Sequence, residues 1–171
     1  FTERPPPPRP TLGPYTTLSR SVPSSADGIA VLGTPAAPRA RVAIRGGTLS
    51  RIPRTGVSLA YCDAFLVDRV TVTSVGYAGV LGVGVQDGAV QRSTIRDVYQ
   101  PGHWVNSYGI AITRDATQDI AVTRRSERVR IVGCTVSGVR QWEGIDTPAG
   151  SRIEIRANTV SSCRVGIEVV P

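Results

Sequence analysis

Apolar residues in this chain recur in short alternating runs. Val129 and Ile131 flank Arg130, and Ile153 and Ile155 flank Glu154. Val42 to Ile44 and Phe65 to Val67 follow the same pattern less strictly. A period of two is that of a half-buried strand, whose successive side chains point to opposite faces. No window holds a sustained apolar stripe at helical spacing, so strand is the reading almost everywhere.

The runs belong to an internal repeat. Arg128 to Ser137 aligns with Arg152 to Ser161 at an offset of 24 residues, matching Ile131 with Ile155, Thr135 with Thr159 and Val136 with Val160. Both copies then reach a glycine followed by isoleucine, at Gly144-Ile145 and Gly166-Ile167. The same step, with Ile or Val, occurs at Gly28, Gly56, Gly79 and Gly109. One copy cannot bury its apolar face, but stacked copies can. The expected fold is all-β: a right-handed single-stranded parallel β-helix of about six coils, each of three short strands. Glycine at each step is expected to supply a backbone conformation that other residues adopt only at a cost. Two insertions, Tyr99 to Asn106 and Arg114 to Glu127, should emerge as loops on one face.

Residues 1–23 differ in kind. Pro5 to Pro8 is a four-proline run followed by Pro10, Pro14 and Pro23. This is expected to be a proline-rich extended arm or linker, with the β-helix over 24–171. The chain ends after Val169 and Val170 with no capping element in view. The expectation is that it is part of a longer chain, or that a partner subunit covers this end, with a homotrimer as the analogous case.

Composition and charge narrow the ligands and sites to be expected. All 20 basic residues are arginine, against 13 acidic ones, for a net charge of +7. Arginine suits carboxylate and phosphate partners, so acidic polymers are the favoured ligands. The arginines are scattered and no nucleic-acid motif is present, which argues against nucleic acid. No stretch reaches the roughly 18 apolar residues that suggest a membrane span. Cys62, Cys134 and Cys163 are odd in number and form no CxxC pair, so buried free thiols are expected rather than a zinc site.

The stretch Trp142 to Thr147, followed by Ser151 to Val160 and Val165 to Val169, resembles repeats of the pectin-lyase-like superfamily of right-handed parallel β-helices. The likeness covers roughly residues 27–170. It implies a secreted or virion-surface protein that binds or processes a polysaccharide, in the manner of polysaccharide lyases, uronan epimerases, glycoside hydrolases or phage tail spikes. Related chains often carry His where this one has Pro148, and the epimerase-type Asp-Pro-His-Asp signature is missing. A non-catalytic binding or structural β-helix therefore stands beside the enzyme reading.

Alignment on the glycine steps selects candidate residues. Two positions after each glycine come Ala30, Ser58, Leu81, Ala111, Asp146 and Glu168, which should stack. Asp146 and Glu168 would then be neighbours able to share a proton or chelate Ca²⁺. The bland alternative is an outward pair balanced by Arg140, Arg152 or Arg164. One position before the glycine come Tyr108 and Glu143, and two before comes Trp142. Trp142 and Trp104 offer ring faces to sugars. For a lyase, Arg140 and Arg164 would neutralise a uronate carboxylate while Tyr108 or His103, the single histidine, removes its C5 proton. For a hydrolase, the carboxyls would be Glu143, Asp146 and Glu168. Asn158 is expected to serve a corner structurally.

Overall fold

The computed structural model describes residues 27–100, 106–117, 119 and 123–170. The proline-rich segment and the pair His103 and Trp104 lie outside the described residues. Among the described residues the chain forms eighteen strands: β1 (Ile29–Leu32), β2 (Arg39–Ala40), β3 (Ala43–Arg45), β4 (Thr48–Ile52), β5 (Thr55–Ala60), β6 (Cys62–Asp63), β7 (Leu66–Asp68), β8 (Thr71–Val75) and β9 (Ala78–Val83), then β10 (Gln86–Gln91), β11 (Thr94–Val98), β12 (Tyr108–Thr113), β13 (Glu127–Val132), β14 (Thr135–Ser137), β15 (Glu143–Asp146), β16 (Glu154–Arg156), β17 (Thr159–Ser161) and β18 (Val165–Glu168).

Every pairing is parallel and joins one coil to the next. The strands fall into a six-stranded sheet β1-β5-β9-β12-β15-β18, a seven-stranded sheet running from β16 to β2 and β3, and a five-stranded sheet β17-β14-β11-β8-β4. This is the expected β-helix. The repeat offset seen in the sequence is the register seen in the sheets: Ile131 pairs with Ile155, Thr135 with Thr159 and Val136 with Val160.

Alternation within each strand sends one set of side chains inward as columns. Val57, Val80, Ile110 and Ile145 form one, and Val72, Ile95 and Val136 form another; all have 0% exposure. The end coils supply half-buried members such as Ile29, Leu49, Ile155 and Val160. On the outer face of the five-stranded sheet, Thr48, Thr71, Thr94, Thr135 and Thr159 stand in one unbroken register. Cys62 and Cys134 are buried free thiols as expected, but Cys163 is only half-buried because it sits on the last described coil.

The step glycines correct the expectation. None of Gly28, Gly56, Gly79, Gly109 or Gly144 has positive φ. They are required by close approach. A Cβ on Gly79 would lie 2.6 Å from the Gly109 carbonyl and would strike the Ile95 side chain, and one on Gly144 would lie 2.6 Å from the Gly166 carbonyl and from Val160 Cγ1. Left-handed backbone occurs elsewhere, at corners five residues apart: Ala64, Arg69 and Ser74 in one coil, Asp87, Arg92 and Asp97 in the next, Arg152, Ala157 and Ser162 in the last. Side-chain residues hold most of these positions although each costs about 1 kcal/mol or more.

Asn158 serves its corner by bridging coils rather than by closing its own turn. Its Oδ1 accepts from the Cys134 amide at 2.8 Å, and its Nδ2 donates to the Ile131 carbonyl at 2.9 Å.

Gly79→Ala should destabilise the protein by about 1–3 kcal/mol, because a backbone carbonyl and a packed isoleucine must both move. Gly166→Ala, whose Cβ would meet only Val160 Cγ1 at 4.0 Å, should stay within about 0.5 kcal/mol of the parent. Urea unfolding of both variants checks the contrast, and equal losses would refute the close-approach account.

Candidate functional site

At each step two successive residues, the glycine and the residue after it, face the interior. Gly144 points at Val160 and Cys163, and Ile145 is fully buried. The flanking residues Glu143 and Asp146 are therefore both thrown to the outer face of the six-stranded sheet. Pairing between strands then sets their neighbours. Tyr108, Glu143 and Val165 form one row, and Ala111, Asp146 and Glu168 form the next. The stacking of Asp146 on Glu168 and of Tyr108 on Glu143 is as the glycine alignment predicts.

Three carboxyls therefore meet. Glu143 is 3% exposed and Asp146 is 5% exposed. Burial pushes the Glu143 carboxyl well above the usual range, and its hydrogen bonds with Glu168 and Asp146 and their charges push the same way. Burial raises Asp146 most, with the Glu168 charge adding to it, while the hydrogen bond from Glu143 pulls back. Asp146 Oδ1 is buried with no hydrogen-bond partner, and so are the hydroxyls of Ser107, beside Tyr108, and Thr55, in the same outer row as Tyr108. Unsatisfied buried oxygens of this kind cost about 1–3 kcal/mol each.

The balancing-arginine alternative fails. Arg152 pairs with Glu127 at 3.4 Å, and Arg164 lies over the Trp142 ring, 5.0 Å from its centroid. Arg140 is exposed. Among the described residues no ion pair includes Glu143, Asp146 or Glu168. Arg140 and Arg164 thus form no ion pair with Glu143, Asp146 or Glu168. The Ca²⁺ expectation finds no ligand set either: among the described residues no group of three His, Cys, Asp or Glu is placed to hold a metal ion.

Aromatic rings flank the carboxyls. Tyr77 and Tyr108 meet edge to face at 5.6 Å, and both pack in one cluster with Trp142. Arg54 lies over the Tyr77 ring at 5.7 Å and also holds Asp27 at 3.3 Å. Burial raises the Tyr77 phenol, Arg54 lowers it, and Asp146 is near enough to raise it. Sequence reasoning missed Tyr77 and Arg54, although each lies two positions before a step glycine, as Trp142 and Arg164 do.

The two insertions leave at either end of β12. Gln100 and Gln141 tie the first to the corner before Trp142: the Gln100 amide donates to Gln141 Oε1 at 2.8 Å, and Gln141 Nε2 donates to the Gln100 carbonyl at 2.9 Å. The second is pinned by the Tyr61 hydroxyl on Asp115 and the Arg124–Asp63 ion pair. A groove of about 510 Å³ opens elsewhere, at the corner carrying Arg51, Pro53, Ser74, Gly76, Asp97 and Tyr99. It includes none of the three carboxyls. The carboxyl group, and not this groove, gathers the buried titratable side chains.

A family model described as a right-handed β-helix region matches residues 27–170, and the chain belongs to that family. No curated protein and no solved structure matches it.

The raised carboxyls make stability depend on pH. Glu143 and Asp146 keep protons that the unfolded chain loses above about pH 4. The native state then binds more protons than the unfolded one, so this contribution to stability falls as pH rises from about 4 toward the raised native values. Glu143→Gln should shed less stability than the parent between about pH 4 and pH 8. Urea unfolding at three pH values measures the slopes. Parallel slopes would mean that Glu143 titrates normally.

Proposed function

We propose that this member of the right-handed β-helix family hydrolyses a glycosidic bond of a polysaccharide laid across the outer face of its six-stranded sheet. The observation that carries this reading is the pair of buried carboxyls Glu143 and Asp146 with half-buried Glu168 beside them, a group that lies outside every described ion pair. Carboxyls within hydrogen-bond reach of one another cannot all ionise, and a site that splits its carboxyls into protonated and ionised members has its acid and base.

Glu143 keeps its proton near neutral pH and serves as general acid to the leaving oxygen. Asp146, raised less than Glu143, is the first of the two to ionise, and as a carboxylate it takes the proton of the attacking water. The carboxyls now touch, closer than the about 5 Å or more at which glycosidase pairs work. Substrate entry therefore replaces the carboxyl–carboxyl hydrogen bond with one from Glu143 to the glycosidic oxygen. Tyr77, Tyr108 and Trp142 supply flat, partly polar surfaces suited to sugar rings. Resemblance to the pectin-lyase-like proteins, hydrolases among them, supports the same reading.

Incubation with a panel of neutral and acidic polysaccharides should release reducing ends without the ultraviolet band of unsaturated uronates. Glu143→Gln should slow the release by about a hundredfold or more, the usual worth of a general acid. Appearance of the ultraviolet band would replace hydrolysis with elimination and point to Tyr108. Silence across the panel would reduce the face to a binding surface.

A further inference from the structure

The coiling gathers arginines that are scattered in sequence. The segments that build the seven-stranded sheet and its two corners, residues 39–46, 62–69, 86–92, 127–133 and 151–157, carry nine arginines against five carboxylates. The segments of the five-stranded sheet carry little charge, and those of the six-stranded sheet carry the carboxyl group described above. One side of the rod is therefore basic and another acidic.

The excess on the basic side is real after local pairing. Each of its five carboxylates already holds an arginine, as when Asp68 takes Arg92 at 2.8 Å and Arg69 at 3.3 Å, or Asp87 takes Arg128 at 2.6 Å. Arg41, Arg45 and Arg130 are exposed and enter none of these pairs. Arg69, Arg92 and Arg156 keep 66%, 57% and 61% of their side-chain surface open to solvent even while paired. Every one of the five coils offers at least one exposed guanidinium, so a linear polymer lying along the rod meets a new one about every 4.8 Å.

We infer that this side is a binding surface for an acidic polysaccharide, held through its carboxylate or sulfate groups. Forked guanidinium donors fit such groups in pairs. Nucleic acid fits less well. Single strands are held largely by aromatic stacking, and the only aromatic residue in these segments, Phe65, is 3% exposed and packed in the core. A duplex is read by an element that enters a groove, and these strands lie flat in a sheet. The inference stands on the arginine geometry and does not need the carboxyl face to be catalytic.

The test uses the full chain titrated with polygalacturonate by calorimetry. Binding is expected at low salt and should weaken strongly when added salt cuts the screening length from about 10 to about 3 Å. The triple variant Arg41→Gln, Arg45→Gln, Arg130→Gln should bind about tenfold or more weakly, a loss of about 1.4 kcal/mol or more. Its thermal unfolding should match the parent, since exposed substitutions rarely move stability by more than about 0.5 kcal/mol. The triple variant Thr48→Ser, Thr71→Ser, Thr135→Ser on the five-stranded face should bind like the parent. No binding by the parent, or a triple arginine variant as tight as the parent, would overturn the inference. So would Glu143→Gln abolishing the binding, which would place the polymer on the carboxyl face. Tighter binding of single-stranded DNA than of polygalacturonate would replace the polysaccharide with nucleic acid.

Discussion

In-register stacking of one coil directly on the next is the constraint from which the other features follow. Each strand sends its backbone hydrogen bonds to the coils on either side and none to itself, so the register is fixed at every strand together. The step glycines show how little slack remains, because the space a Cβ would occupy is taken by a carbonyl of the following coil. A one-residue slip would turn Ile145 outward and Asp146 into the core. The same close packing forces two successive inward positions at each step. That local break in alternation is what brings Glu143 and Asp146, three residues apart, to the same side of one strand.

Stacking also sorts side chains by chemistry. A residue type repeated at one position of the coil becomes a column, and columns on one sheet become a face. Threonine at one position gives the hydroxyl column of the five-stranded sheet. Arginine at several gives the basic side. The ion pairs there are mostly solvent-exposed, and such pairs are worth about 0–1 kcal/mol each. They decorate the rod, and the inward columns of valine and isoleucine hold it together.

Much of this was legible in the chain. The offset between Arg128 and Arg152 carried both the strand positions and the pairing of Thr135 with Thr159, because a stacked repeat converts sequence alignment into spatial contact. The rows Tyr108–Glu143 and Asp146–Glu168 were legible for the same reason. The corners were not. Their left-handed residues include Arg69, Ala64 and Ser74, none of which signals that conformation, since the stacked strands on either side impose it. The role of the step glycines was misread because glycine serves both freedom and closeness, and only coordinates tell them apart. The partners of the carboxyls were misread because adjacency of Arg164 or Arg140 along the chain says nothing of where a long side chain lies. Tyr77 and Arg54 were missed although the glycine alignment that selected Trp142 reaches them.

The absence of arginine from the carboxyl group needs explaining in a chain with 20 arginines and a net charge of +7. One guanidinium at Glu143 or Asp146 would ionise the group and relieve its burial. The two arginines nearest in the repeat are instead held elsewhere, Arg54 by Asp27 and the Tyr77 ring, Arg164 by the Trp142 ring and the Gln141 carbonyl. A structural role would be served at lower cost by apolar residues, which fill the equivalent outer positions Leu81 and Ala111 on the coils before. Two buried, unneutralised carboxyls kept beside half-buried Glu168 sacrifice stability for a retained proton, which is what the proposed general acid requires.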